Sequence, residues 1–311
     1  MVSIDFDDVR LCESSVERTL CQRGSKKTAL FNRTLRLGAI SSRISLLRAS
    51  VSTHLERTEE ATRNEVAVKS TIVAIRQESP TVKSLTLSIP DKEFRFKAGQ
   101  WVDFFIPGLS VVGGFSITST PAHLARRRTI DLAVKASDHP PAAWIHREAK
   151  VGSHVTVRVG GDFYFDDDKI DCVSNFLFVA GGIGITPLHS IMRHAIDLKN
   201  GGCGNAGKLR LLYSAKTLDE MIFEKSLREL KERELLRYRL CLTGSHQAHM
   251  RHQDVHIGRI TEDLLKNFTL GMSPSEIIAY VCGPPAMTDD VCSMLKRMGV
   301  KGDQLRYEKW W

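Results

Sequence analysis

The stretch Phe176-Leu-Phe-Val-Ala-Gly-Gly-Ile-Gly-Ile-Thr-Pro187 carries the plainest chemical signal in this chain. An apolar run long enough for a buried strand passes into Gly181, Gly182, Ile183 and Gly184, and then into Ile185, Thr186 and Pro187. Glycines let the backbone approach a phosphate closely, and a helix starting there offers unpaired N–H groups and the positive end of its dipole. Pro187 suits a first helical turn, where a missing N–H costs nothing. Glycine turns also join strand to helix in domains that bind no nucleotide, so the motif alone marks only a candidate phosphate site. A second candidate is Tyr280-Val-Cys-Gly-Pro-Pro-Ala-Met287, again a strand end before a helix. It would bring Cys282, Gly283 and Pro284 to the same crevice; the alternative is a tight turn with a buried thiol. The third is the end of the chain, Tyr307-Glu-Lys-Trp-Trp311. Two tryptophans there need a flat apolar surface, either a ligand face or the protein's own core.

The elements that must position these residues fall into two halves. From about Glu65 to Asp166 the pattern is mostly short strands: a β-rich run around Val82–Ile89, then Trp101–Ile106, Thr129–Lys135 and His154–Val159. Turn signals such as Pro107-Gly108 and Gly160-Gly161 separate them, and one short helix fits at Pro140–Lys150. That is the spacing of a small antiparallel barrel. From about Ser174 strands alternate with helices. Strands are predicted at Phe176–Ala180, Lys208–Tyr213, Arg239–Thr243, Ile277–Cys282 and Gln304–Trp310. Helices are predicted from Thr186, around Leu218–Arg233, at Thr261–Asn267 and over Ala286–Met298. Such alternation gives a doubly wound parallel sheet with its ligand crevice at the carboxyl ends of the strands. The domain division is a basic segment over 1–60, a barrel over 61–166 and a nucleotide domain over 167–311.

Composition removes other classes. The 311 residues are 42% apolar and 26% charged, those of a globular protein with room for two cores. No apolar run reaches the ~18 residues of a membrane span. The net charge of +8 is too dilute for a nucleic-acid face, since residues 1–55 alone supply nine Lys/Arg against five Asp/Glu. The seven cysteines lack CxxC or Cys/His spacing, which argues against a disulfide framework, a metal site or an Fe–S centre and for a reducing compartment. From Arg18 to Leu55 there is no acidic residue, while Leu37, Ile40, Ile44 and Leu47 recur at helical spacing among arginines. That reads as a mitochondrial presequence; the alternative is a basic tail on a cytoplasmic protein.

In the barrel half, Phe96-Lys-Ala-Gly-Gln-Trp-Val102 leads into Gly113-Gly-Phe-Ser-Ile-Thr-Ser-Thr120. Together and in this order, the pieces resemble the ferredoxin-NADP-reductase-like flavin oxidoreductases, from about Glu65 to Trp311. The resemblance implies an FAD-binding barrel followed by an NAD-binding domain, with hydride passing from NAD(P)H to flavin and electrons then to an acceptor, such as another protein. It implies that Gly182, Gly184, Thr186 and Pro187 lie under the dinucleotide. Cys282, Gly283 and Pro284 would line the place where nicotinamide meets flavin. Ser116, Cys282, Glu308 and Trp310 would surround the reacting rings, with Trp310 covering the flavin face and Phe115 stacked against the flavin.

The chain departs from the family's Arg-x-Tyr-Ser/Thr pattern. Gly113 stands where the family has its phosphate-binding Arg, Phe115 where it has Tyr, and Ser116 is kept. The family's second phosphate element is here His139-Pro-Pro-Ala142, which has lost two N–H donors and a hydroxyl. FAD binding is therefore expected to be weak, with Lys135 or Arg147 as candidates to compensate; the rival reading is a flavin-deficient NAD-binding scaffold or sensor. The family's NADPH users carry a Ser-Arg pair where this chain has Thr243-Gly-Ser-His246, so NADH is expected over NADPH. Gly184→Val is expected to abolish dinucleotide binding and spare the fold.

Overall fold

A computed structural model of the chain describes residues 53–167, 174–200, 207–244 and 254–310. The segment on which the targeting reading rests lies almost wholly outside them. The described residues open with a one-turn helix, α1 (His54–Arg57), capped by Thr53, whose hydroxyl accepts from the Glu56 N–H. The first sheet contains β1 (Val68–Ser79), β2 (Val82–Ser88), β3 (Trp101–Phe105), β4 (Gly113–Ser116), β5 (Thr129–Lys135) and β6 (His154–Gly160), in the order β4-β3-β6-β1-β2-β5. Every pairing is antiparallel. An antiparallel bridge between Ile117 and Leu132 links the two edges, closing a barrel around Ile72, Leu85, Val102, Phe104 and Val157. Two helices serve it: α2 (Pro121–Arg127), capped by Thr120, and α3 (Pro140–Arg147), whose Ala142 and Ile145 are buried in the barrel core.

The second sheet is wholly parallel. It comprises β7 (Asn175–Gly181), β8 (Leu209–Ala215), β9 (Arg237–Leu242), β10 (Val255–Ile257), β11 (Ile277–Gly283) and β12 (Leu305–Lys309), in the order β10-β9-β8-β7-β11-β12. Helices α4 (Ile185–Asn200), α5 (Glu224–Glu232), α6 (Glu262–Phe268) and α7 (Pro285–Arg297) complete it. Alternate residues of β7 feed two cores. Phe176, Phe178 and Ala180 join the one containing Leu188 and Ile191 of α4; Leu177 and Val179 join the one containing Leu265 of α6 and Val291 of α7. Both faces of the sheet are thus covered, as a near-continuous apolar strand requires. Among the described residues no helix is long and apolar enough to cross a membrane.

Helix α4 ties the two sheets together. Its Ser190 hydroxyl donates to the Ser119 carbonyl (2.6 Å), and Asp197 accepts from the Thr120 hydroxyl (2.9 Å). The His189 ring spans from the Thr118 carbonyl to the Ser226 hydroxyl of α5. Burial pushes that imidazole down to about 4, so it is neutral, donating through Nδ1 and accepting through Nε2.

The structure corrects the sequence reading at the start of the fold. Residues ahead of Glu65 already belong to the fold: the Asn64 N–H donates to the Val159 carbonyl (2.9 Å), and His54 and Arg63 reach Asp103. The sequence reading also allowed the barrel one helix and named no strand at β1; α2 and β1 are both present. Asp103 in β3 is completely buried. It accepts from His54 Nε2 (2.9 Å), Arg63 Nε (3.1 Å), and Arg158 Nε (2.9 Å) and Nη2 (2.6 Å). Burial pushes the Asp103 carboxyl up, but the hydrogen bonds from His54 and Arg158 and the Arg63 charge outweigh it and hold the pKa below its usual value. His54→Ala removes one partner of this buried carboxylate and should cost about 1–3 kcal/mol in urea unfolding. An unchanged midpoint would mean that the segment does not hold to the barrel.

Candidate functional site

The crevice forms where two strand-to-helix turns meet. After β7 the chain makes a 3-10 turn over Gly182–Gly184 and enters α4; after β11 it passes Pro284 into α7. Three glycines let these turns touch. A Cβ at Gly184 would lie 2.5 Å from the carbonyl carbon of Cys282 and 2.7 Å from the Gly283 nitrogen. One at Gly181 would meet the Met287 sulfur (2.6 Å) and Pro284 Cδ (2.8 Å), and one at Gly283 would meet Met287 Cε (2.7 Å) and the Gly181 Cα (2.9 Å). Gly182 differs: its φ is +53° and nothing lies within 4 Å of its added Cβ. It faces open space and lines a shallow cleft with Ile183, Tyr213, Lys135 and Glu220. Ile185 and Pro187 are buried in the first turn of α4, and the Thr186 hydroxyl donates to the Ile183 carbonyl (2.9 Å), bracing the turn from inside.

The carboxyl end of β11 meets β12, so that Cys282 stands opposite Glu308 and Gly283 opposite Lys309. Beyond β12 the Trp310 N–H donates to the Gly283 carbonyl (3.0 Å), and its indole Nε1–H donates to Glu308 Oε2 (2.8 Å). Trp310 is half-buried against the core that contains Cys282. Burial pushes the Cys282 thiol far up and Glu308 adds to the shift, so the group stays a neutral thiol. Burial also pushes the Glu308 carboxyl up to about 8, against the Trp310 hydrogen bond that lowers it. This end of the crevice therefore holds a neutral thiol beside a carboxyl that keeps its proton more firmly than a free one. That suits hydride movement, in which water must be excluded and no protein nucleophile is required.

The structure brings Cys282, Gly283, Pro284, Glu308 and Trp310 together beside the Gly181–Pro187 turn. It places Phe115 and Ser116 on β4 of the barrel; among the described residues no hydrogen bond or ring contact joins them to that group. Ser116 is buried opposite Trp101. The Phe115 ring meets Phe104 edge-on, with ring centroids 5.5 Å apart. Ser245, His246 and Trp311 lie outside the described residues.

The sequence of the nucleotide domain matches the family model described as the oxidoreductase NAD-binding domain over residues 178–293. The oxidoreductase NAD-binding domain-containing protein 1 of Bos taurus is 41% identical, over 88% of this chain and 96% of that protein. This chain belongs to that oxidoreductase family. The fold is shared with a cytochrome P450 reductase from Amycolatopsis (TM-score 0.66, 19% identity, 80% of this chain and 71% of that one). It is shared too with a ferredoxin NADP+ reductase from Neisseria gonorrhoeae described with bound FAD and NADP (TM-score 0.65, 19% identity, 80% of this chain and all of that one). The oxidoreductase NAD-binding family therefore sits on a ferredoxin-reductase-like framework: an antiparallel barrel and a parallel nucleotide domain.

The residues of this chain do not fit the diphosphate of a flavin dinucleotide. Gly113 is covered by Phe115 and Pro141. Lys135 pairs with Glu220 (3.5 Å), and Arg147 is in the last turn of α3, away from its proline end. What sequence reasoning missed is the His54, Arg63 and Arg158 set around Asp103; the available signals were a lone carboxylate inside Trp101-Val-Asp-Phe-Phe105 and the Gly113-Gly114 pair.

Two tests follow from the geometry. Gly184 is spaced for backbone packing, not for a phosphate, so Gly184→Val should lower the melting temperature sharply or prevent folding, contrary to the expectation from sequence. Gly182→Ala should fold, at about 1–2 kcal/mol for a side chain in the left-handed region, and lose NADH affinity. Thermal melts beside NADH titrations separate them; a stable Gly184→Val that merely binds poorly would restore the phosphate role. The second test concerns Glu308. The folded chain holds that proton more tightly than the unfolded chain, so the Glu308 contribution lowers stability as pH rises from about 4.5 to about 8. Glu308→Gln should lose that part of the decline in a pH series of urea melts, and an unaltered slope would show the carboxyl to be already ionised.

Proposed function

We propose that this chain is an NAD(P)H-dependent oxidoreductase that holds nicotinamide between the Gly182 turn and the Cys282–Glu308–Trp310 group, where a flavin ring, if bound, would take the hydride and pass its electrons on. The observation that carries the reading is the cluster of thiol, carboxyl and indole, tied together by the Trp310 hydrogen bonds to Glu308 and Gly283, beside the glycine turns. Its parts match the roles the family resemblance assigns. In this reading the Gly182 turn receives the diphosphate. Trp310 occupies the nicotinamide place at rest, and Cys282 and Glu308 align the ring as Trp310 moves aside. Ser116 belongs to the ring side of the barrel. The electrons go to an acceptor that the chain does not name, such as a partner protein.

NADH is the proposed donor. An NADPH site needs a cation for the 2′-phosphate, and Thr243-Gly-Ser-His246 after β9 holds no Arg. Thr243 and Gly244 are tied back to the end of β8, through Thr243 N–H to the Ala215 carbonyl (3.0 Å) and Gly244 N–H to the Lys216 carbonyl (2.8 Å). Among the described residues these contacts place the exposed Lys216 at that edge. A second reading, a nucleotide-binding scaffold or sensor without turnover, is favoured by the covered Gly113. Steady-state reduction of ferricyanide separates them. The expected result is turnover with kcat/KM for NADH about tenfold or more above NADPH, the worth of one charged phosphate contact. A reversed ratio overturns the donor assignment, and NADH binding without turnover supports the sensor.

A further inference from the structure

We infer that the place where a barrel of this type would hold a flavin diphosphate has been converted into protein interior, so that FAD gains nothing here over phosphate-free riboflavin. The conversion is visible from both sides of β4. On the inner side, a Cβ at Gly113 would stand 2.7 Å from Phe115 Cε2 and 2.9 Å from Pro141 Cβ. The volume that a long side chain at 113 would cross is occupied by two rings, and one of them belongs to the residue that stands in the flavin-stacking position. Phe115 is packed with the barrel core through Phe104, and Pro141 is buried.

The helix that would present N–H groups to an anion has lost two of them, keeping only the Ala142 N–H ahead of its first intrahelical bond. Helix α3 begins with Pro140 and Pro141, and its N-cap His139 makes no capping hydrogen bond. Burial, with the nearby positive Arg57 and the His54 ring, makes His139 harder to protonate, so it brings no charge of its own at neutral pH.

On the outer side, the N-terminal segment has taken the room at Gly114. A Cβ there would fall within the His54 ring, 2.6 Å from Nε2. His54 is itself fixed by Asp103 and by an edge-on contact with Trp101 (centroids 4.8 Å apart). Arg63 lies over the same Trp101 ring, 5.1 Å from its centroid. The two glycines of β4 are therefore not merely lost contacts. Each is the hole into which another side chain of this protein fits, and each would resist reversal.

The test is equilibrium dialysis of the full chain against FAD, FMN and riboflavin, with NADH as a separate control on the nucleotide half. One charged phosphate contact brings about a ten- to hundredfold advantage. Here FAD should bind within about threefold of riboflavin, or, like riboflavin, not measurably. FAD retained through gel filtration, or bound more than about tenfold tighter than riboflavin, overturns the inference. Gly113→Arg adds an independent arm. The expected result is a lowered melting temperature with no gain in FAD affinity; a tenfold gain at unchanged melting temperature would show that the seat is still there.

Discussion

Backbone-to-backbone contact between the β7–α4 turn and the β11–α7 turn is the constraint on which the crevice depends. Gly184 rests directly on the Cys282–Gly283 peptide, and Gly181 and Gly283 close the same seam against Met287 and Pro284. Side chains at these points would force the turns apart and separate the Gly182 backbone from Cys282. The seam also sets the end of β12, because Trp310 hydrogen-bonds the Gly283 carbonyl. The position of the indole, and through it of the Glu308 carboxyl, is inherited from three residues that have no side chain.

A second constraint operates in the barrel, with the opposite consequence. There glycines admit side chains in place of backbone: Phe115 and Pro141 over Gly113, and His54 over Gly114. In the nucleotide half Gly182 faces open space; in the barrel glycine lets the protein fill itself. The buried carboxylate of Asp103 keeps the second filling in place, since a charge removed from water must be hydrogen-bonded and paired. The N-terminal segment supplies two of its three partners.

The nucleotide half was legible because its signals are local. The unbroken apolar run of β7, the Thr261 cap of α6 and the prolines opening α7 each announce an element within a few residues. The barrel was less so. Strand β1 changes register between Ile72 and Ala74 and again between Gln77 and Ser79, which breaks the alternation a single-face strand shows. Strand β4 is four residues, two of them glycine, and α1 is a single turn. His54 read as part of the basic segment, and Arg63 was given no role, because their partner Asp103 is 49 and 40 residues away. That the stretches 181–187 and 282–284 meet at one crevice was readable, but sequence could not divide the glycines into Gly182, which faces open space, and Gly184, which packs.

The central claim is that the crevice beside Gly182 and Trp310 takes a nicotinamide dinucleotide. Calorimetric titration of NADH into the full chain, and into a chain ending at Lys309, tests it most directly. The account expects one saturable site in both, with affinity unchanged or tighter once the indole no longer occupies the ring's place. A folded full chain that gives no saturable heat with NADH, or a shortened chain that folds but no longer binds, would contradict it.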